Sequence, residues 1–111
     1  MIARIWHGKT SISKSEEYKQ FVLDVAVKDY KSIEGLMGLE FLHRIEGEEA
    51  HFTLITFWSS LESIERFAGR DFEKAKYYPE DIDFLLEFEE HVKHHDVFYK
   101  ELIHGEENQK L

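Results

Sequence analysis

Six side chains can do chemistry at an organic ligand. His7 and His94 titrate near neutrality and can accept a phenolic proton, and Tyr77 and Tyr78 carry hydroxyls able to donate to a developing oxyanion. Trp6 and Trp58 offer flat faces on which a planar molecule can stack. His91, His94 and His95 also have spacings of three and four, which on a helix would gather nitrogen ligands for zinc or nickel. The VKHHDVFY context favours a strand, and a strand sends His91 and His95 one way and His94 the other. No metal site is therefore expected there. The chain has no GxSxG nucleophile elbow, no glycine-rich phosphate loop and no cysteine, so thiolate chemistry, cysteine-bound zinc and disulfides are excluded.

The elements that must position these residues can be read from periodicity. Ile2 to His7 alternate two mixed faces, Ile2/Arg4/Trp6 and Ala3/Ile5/His7, and Gly8 is the expected strand end. From Ser13 the period becomes helical. Ser13 and Glu16 have capping-box spacing, and Tyr18, Phe21, Val22 and Val25 form an apolar stripe that ends before the stretch Gly35 to Gly38. Segments 39–45 and 50–58 flank the turn at Glu46, Gly47, Glu48 and Glu49 and read as a hairpin. Ser59, three residues before Glu62, is the expected cap of a helix carrying Leu61, Ile64, Phe67 and Ala68 and ending near Gly69. Phe72, Ala75 and Lys76 form a short amphipathic piece. A helix near 80–87, a strand near 91–100 and a flexible tail over 104–111 complete the chain.

The order β, α, β, β, α, β is that of an α+β, ferredoxin-like split βαβ fold with a four-stranded antiparallel sheet. Two helices cover one face of such a sheet. Because the strands carry apolar bulk on both faces, the second face calls for another copy of the same sheet, and a homodimer is expected. The 111 residues, 42% hydrophobic and 33% charged, suffice for one domain over 1–103. Of the net charge of -9, residues 77–111 carry -7, and the basic residues form no stripe, so neither nucleic acid nor an acidic membrane is an expected partner. No apolar run has membrane-spanning length, and MIARIWHG lacks the apolar core of a secretory signal, which together with the absence of cysteine points to the cytoplasm.

Beyond these patterns, the opening MIARIWHGKT, the strand end LITFW followed by SSLESIERFAG, and above all DFEKAKYYPEDIDFLLEFEEHVKHHDVFY resemble the antibiotic-biosynthesis monooxygenase (ABM) superfamily. The resemblance covers residues 1–100, is most specific from Trp58 to His94, and is nearest to small bacterial members whose substrate is unassigned. It implies a dimeric α/β barrel. It also implies a cofactor-independent monooxygenase acting with O₂ on an aromatic polyketide or quinol-type molecule, with His94 and Tyr77 catalytic and Trp6, His7, Trp58, Phe67 and Tyr78 around the substrate. A non-catalytic small-molecule-binding or stress-response module on the same fold is the alternative. The family's haem-degrading branch uses an asparagine on the first strand, a tryptophan on the helix after the third strand and a histidine beyond it. Here the first strand has no asparagine, the helix position is Phe67 and the histidine position falls near Tyr77, so haem degradation by that arrangement is disfavoured.

Overall fold

Four strands build the molecule's frame in a computed structural model that describes residues 1–103. They are β1 (Ile2–Ser11), β2 (Leu36–Glu46), β3 (Glu49–Trp58) and β4 (Lys93–Asp96), arranged in the order β2-β3-β1-β4 with every pairing antiparallel. Three helices complete it: α1 (Ser15–Phe21) and α2 (Val27–Lys31), joined by a π-helical turn at Val22–Ala26, and α3 (Leu61–Ala68). This is the ferredoxin-like arrangement expected from the element order. The expected tail, 104–111, lies outside the described residues.

Strand alternation sorts the side chains onto two faces. Arg4, Trp6 and Thr10 of β1 and Phe52, Leu54, Thr56 and Trp58 of β3 are buried under the helices. Ala3, Ile5, His7 and Lys9 point to the other face beside His51, Thr53, Ile55 and Phe57. The hairpin turn is two residues long, because Glu46 pairs with Glu49. Gly47 has φ +61 there, which costs glycine nothing and most other residues about 1 kcal/mol or more.

The first helical rod buries Tyr18, Val22, Ala26 and Tyr30, each four residues after the last. In an α-helix of 3.6 residues per turn such a stripe drifts by about 40° at each step. The wider π turn at Val22–Ala26 offsets that drift and keeps the stripe on the sheet. The stripe is thus not the Tyr18, Phe21, Val22, Val25 set expected from a uniform helical period.

Several boundaries differ from the sequence reading. β1 runs past Gly8 to Ser11, because a Gly8 without a side chain leaves room for the Trp6 ring rather than ending the strand. The Ser13/Glu16 box does not form. Lys14 occupies the cap position of α1 without a side-chain bond, and Ser15 Oγ donates back to the Ile12 carbonyl. α3 is capped by Ser60, which accepts from Ser63 N, rather than by Ser59 with Glu62. The 80–87 helix is a single 3₁₀ turn, Pro79–Asp83, and the 91–100 strand is only Lys93–Asp96. The helix shrinks because residues 70–92 fold as a cover tied to its own ends and to β1. Ala75 N donates to Glu90 O and Val92 N to Glu73 O, each at 2.9 Å, while Leu86 N reaches Lys9 O at 2.9 Å.

Among the described residues, no helix is long and apolar enough to cross a membrane.

Candidate functional site

The space between the sheet and its helical cover is filled with rings. Trp58 is fully buried, lies 5.7 Å from Phe67, and gives its indole N–H to Thr56 Oγ1 at 2.7 Å. Tyr30 stacks on Phe67 at 4.4 Å. Trp6 meets Tyr77 edge-on at 6.0 Å, and Phe72 meets His94 edge-on at 5.4 Å.

Hydrogen bonding separates the two tryptophans. Among the described residues, the buried side-chain atoms without a partner are Arg4 Nε, Trp6 Nε1, His94 Nε2 and Asp81 Oδ1. Three of the four belong to one patch of sheet. Arg4 and Trp6 are alternate residues of β1 on the helix-covered face, and His94 of β4 pairs directly with Arg4. Buried polar atoms almost always find partners, because an orphaned one costs about 1–3 kcal/mol. Three lie on neighbouring positions of this one patch.

The polar groups around the patch are tuned by burial. Burial, and then the Arg4 charge, lower the His94 pKa, so the imidazole is neutral near pH 7 and able to take a proton. The Tyr77 hydroxyl is pushed up to about 12 by burial and by the acidic neighbours Glu89, Asp81 and Glu87, and it donates to the Glu89 carbonyl at 2.5 Å. Tyr78 is raised by burial and by its hydrogen bond to Asp29 Oδ2, 2.6 Å long. The same Asp29 oxygen accepts from Lys76 Nζ at 2.9 Å. Burial alone would raise the Asp29 carboxyl, but the bonds from Tyr78 and Lys76 and the Lys76 charge outweigh it and hold Asp29 below its usual range.

Of the residues singled out in the sequence, Trp6, Trp58, Phe67, Tyr77, Tyr78 and His94 share the covered side of the sheet. His7 does not. Strand alternation puts it on the opposite face, stacked on His51 at 5.2 Å and hydrogen-bonded through Nε2 to His51 Nδ1 at 3.0 Å, with Nδ1 against Glu89. Trp58 and Phe67 lie deep in the packed rings, whereas Trp6 and His94 carry unpaired nitrogens. Arg4 was missed as a site residue, although the Ile2/Arg4/Trp6 face contained the signal: a cation between two apolar residues of a strand. Asp29 was missed because only the tertiary fold brings it beside Tyr78, and Lys76 and Asp81, two and three residues from Tyr78, because they read as solvated surface charges.

His94 and His95 point to opposite faces, His94 opposite Arg4 and His95 opposite Ala3, while His91 lies before β4 rather than on it. The side chains with metal-like spacing among the described residues are instead His7, Glu87 and Glu89, whose candidate ligand atoms lie within 4.8 Å of one another on partly or fully exposed side chains. A cavity of about 150 Å³ opens elsewhere, between the first helical rod and β2, lined by Lys19, Val22, Leu23, Phe41, His43 and Phe52 among others.

No family model and no curated protein matches the chain. Solved structures do. One is a substituted variant of MhuD with two manganese protoporphyrin IX molecules bound per active site, at a TM-score of 0.58 and 14% identity, covering 90% of this chain and 97% of that one. Another is a Bacillus cereus protein provisionally named an antibiotic biosynthesis monooxygenase, at a TM-score of 0.51 and 12% identity, covering 90% and 98%. The chain therefore has, over nine-tenths of its length, the fold shared by MhuD and by a protein named for the ABM monooxygenases.

Proposed function

We propose that the protein is a small-molecule enzyme of the cofactor-independent monooxygenase type, acting on an aromatic polyketide or quinol-type substrate between the sheet and its cover. The observation that carries this reading is the patch of unpaired nitrogens on Arg4, Trp6 and His94, set among the rings of Phe67, Phe72 and Tyr77. Such a substrate supplies its own electrons. Neutral His94 accepts the proton of an acidic O–H or C–H, and Arg4 and Trp6 donate to the oxyanion that remains. The resulting carbanion passes one electron to O₂, and the radical pair combines at carbon to give a hydroperoxide. At a methylene carbon this loses water to leave a carbonyl. One oxygen atom stays in the product and the other leaves as water, with both hydrogens from substrate. The closed aromatic surroundings protect the radical pair from solvent.

The shared fold supports this reading, as does the resemblance of residues 58–94 to ABM sequences. The homodimer belongs to the same proposal: Ile5 and Ile55, half-buried in the single chain, give the second sheet face an apolar centre for another copy to cover. So does a cytoplasmic setting, given the cysteine-free chain.

A non-catalytic binding module is the second reading, favoured because both tyrosine hydroxyls already donate to protein acceptors. Oxygen uptake and product formation with a panel of anthrones and hydroquinones separate the two. Turnover that falls at least about tenfold in His94→Ala is expected for an essential base. No turnover anywhere in the panel would leave only the binding module. The MhuD likeness makes haem a third ligand to titrate, and a Soret shift that disappears in His94→Ala would replace the aromatic substrate with a porphyrin.

A further inference from the structure

Arg4 is 1% exposed, and among the described residues no carboxylate lies within ion-pair distance of it. Isolated charges are rarely buried so completely, because burial strips a cation of its water and nothing repays the loss. Its surroundings do not restore neutrality. A nearby half-buried cation, Lys76, sits 4.2 Å from the Phe67 ring centroid and is already matched by Asp29, 2.9 Å away. Asp81, 2% exposed, accepts from Tyr78 N at 2.7 Å, and burial drives its carboxyl toward the neutral form. Among the described residues, Arg4 is therefore a buried cation with no carboxylate paired to it.

The guanidinium geometry says what shape of anion is missing. Nη2 donates to the Lys74 carbonyl at 3.1 Å, while Nε has no acceptor. The Nε–H and one of the two N–H groups of Nη2 point from the same edge of the planar group, the edge that binds both oxygens of a carboxylate side by side. In the structure Nη2 meets one neutral oxygen and Nε none. The Phe67 ring centroid lies 5.4 Å from the guanidinium carbon, and the unpaired nitrogens of Trp6 and His94 belong to the residues beside Arg4 on the sheet.

We propose that the ligand of this site is a planar aromatic carboxylate, whose two oxygens take the Nε/Nη2 edge of Arg4 and displace the Lys74 carbonyl while its ring enters among the aromatic side chains beside Trp6. This rests on the reading of the covered side of the sheet as a small-molecule site, but not on oxygen chemistry. Entry requires the 70–76 segment to move, since it supplies the carbonyl that now accepts from Nη2.

The test compares 2-naphthoate with its neutral isostere 2-naphthamide by calorimetric titration of the full chain, in wild type, Arg4→Lys and Arg4→Met. Wild type binds the carboxylate at least about tenfold more tightly, the scale of a charge-assisted paired hydrogen bond. Arg4→Lys keeps the charge but loses the edge and retains only part of the preference. Arg4→Met loses it altogether while still binding the amide. Should Arg4→Met fail to fold, nitrogen NMR of wild type decides: the Arg4 Nε signal shifts with naphthoate and not with naphthamide. Equal affinities in wild type, no naphthoate binding at millimolar concentration, a preference that survives in Arg4→Met, or an unmoved Nε signal would each overturn the proposal. An Arg4-dependent preference without any oxygen uptake removes the oxygenase and leaves this inference standing. Turnover of neutral anthrones without the preference does the reverse.

Discussion

Gly8→Ala tests whether the Trp6 indole is held where the site needs it. A Cβ at position 8 would lie 2.4 Å from Trp6 Cη2, 3.0 Å from Cζ3 and 3.1 Å from Cζ2. The first of these is 1.0 Å short of the 3.4 Å at which ordinary contact begins, so the ring has to swing away. The backbone at Gly8 is not in the left-handed region, so alanine itself is conformationally acceptable and the whole cost falls on packing. Trp6 is 4% exposed and packs against Tyr77, and overpacking at such a site costs about 1–3 kcal/mol. For a chain near 100 residues that is a fall in Tm of about 4–8 °C per kcal/mol. Measured by urea denaturation alone and in a Trp6→Ala background, the cost of Gly8→Ala should fall to within about 0.5 kcal/mol of zero once the indole is gone. Ligand affinity should drop in the single variant as well, because the ring leaves the Arg4 patch. An equal cost in both backgrounds would show that Trp6 does not lie over Gly8 and would remove it from the site.

Thr56→Val strips the acceptor from the fully buried Trp58 N–H and should lower stability by about 1–3 kcal/mol in urea denaturation, whereas Trp6→Phe forfeits no side-chain hydrogen bond because the Trp6 indole makes none within the described residues. His94 has its pKa lowered from 6.5 in the fold, so as pH falls through about 6.5 the unfolded chain takes up the proton first. Its contribution to stability is therefore complete above that pH and lost below it, and the urea midpoint of His94→Gln should fall less than that of wild type between about pH 6.5 and 5. In sedimentation, the protein should run near twice the 13.3 kDa of one chain at micromolar concentration, and a folded monomer would contradict the two-sided burial of the sheet.

Much of the fold was legible because it rests on short-range signals. Alternation in Ile2–His7 and 50–58, the Gly47 turn and the amphipathic 61–68 segment each specify an element without help from elsewhere. The misreadings share a cause, which is that long-range packing decided them. Gly8 looked like a strand end and is instead space for a ring two residues earlier. The π turn at Val22–Ala26 was invisible because its purpose is to keep a four-residue stripe facing a sheet that periodicity alone does not include. Segment 70–92 lost most of its expected helix because its backbone bonds go to its own ends and to Lys9. In the site, aromatic and histidine types pointed to Trp6, Tyr77 and His94. The decisive features, a cation without a counter-charge and nitrogens without acceptors, are absences of partners, and partners are a property of the fold.

The neighbours Trp6 and His7 show why residue type could nominate candidates but not place them. A strand turns successive side chains to opposite faces, so Trp6 joins Arg4 and His94 under the helices while His7 joins His51 and Glu89 on the other side. A single site cannot contain both through their side chains in one copy of the chain. In the proposed dimer the second face is the one covered by the partner, so a substitution at His7 acts on association, and one at Arg4 or His94 acts on the ligand. The two surfaces meet at Glu89. Its side chain contacts His7 on one face, and its backbone carbonyl accepts from Tyr77, the residue packed against Trp6, on the other. Covering the second face would thereby restrain the backbone that holds Tyr77, which gives association a physical route to the interior without any residue crossing the sheet.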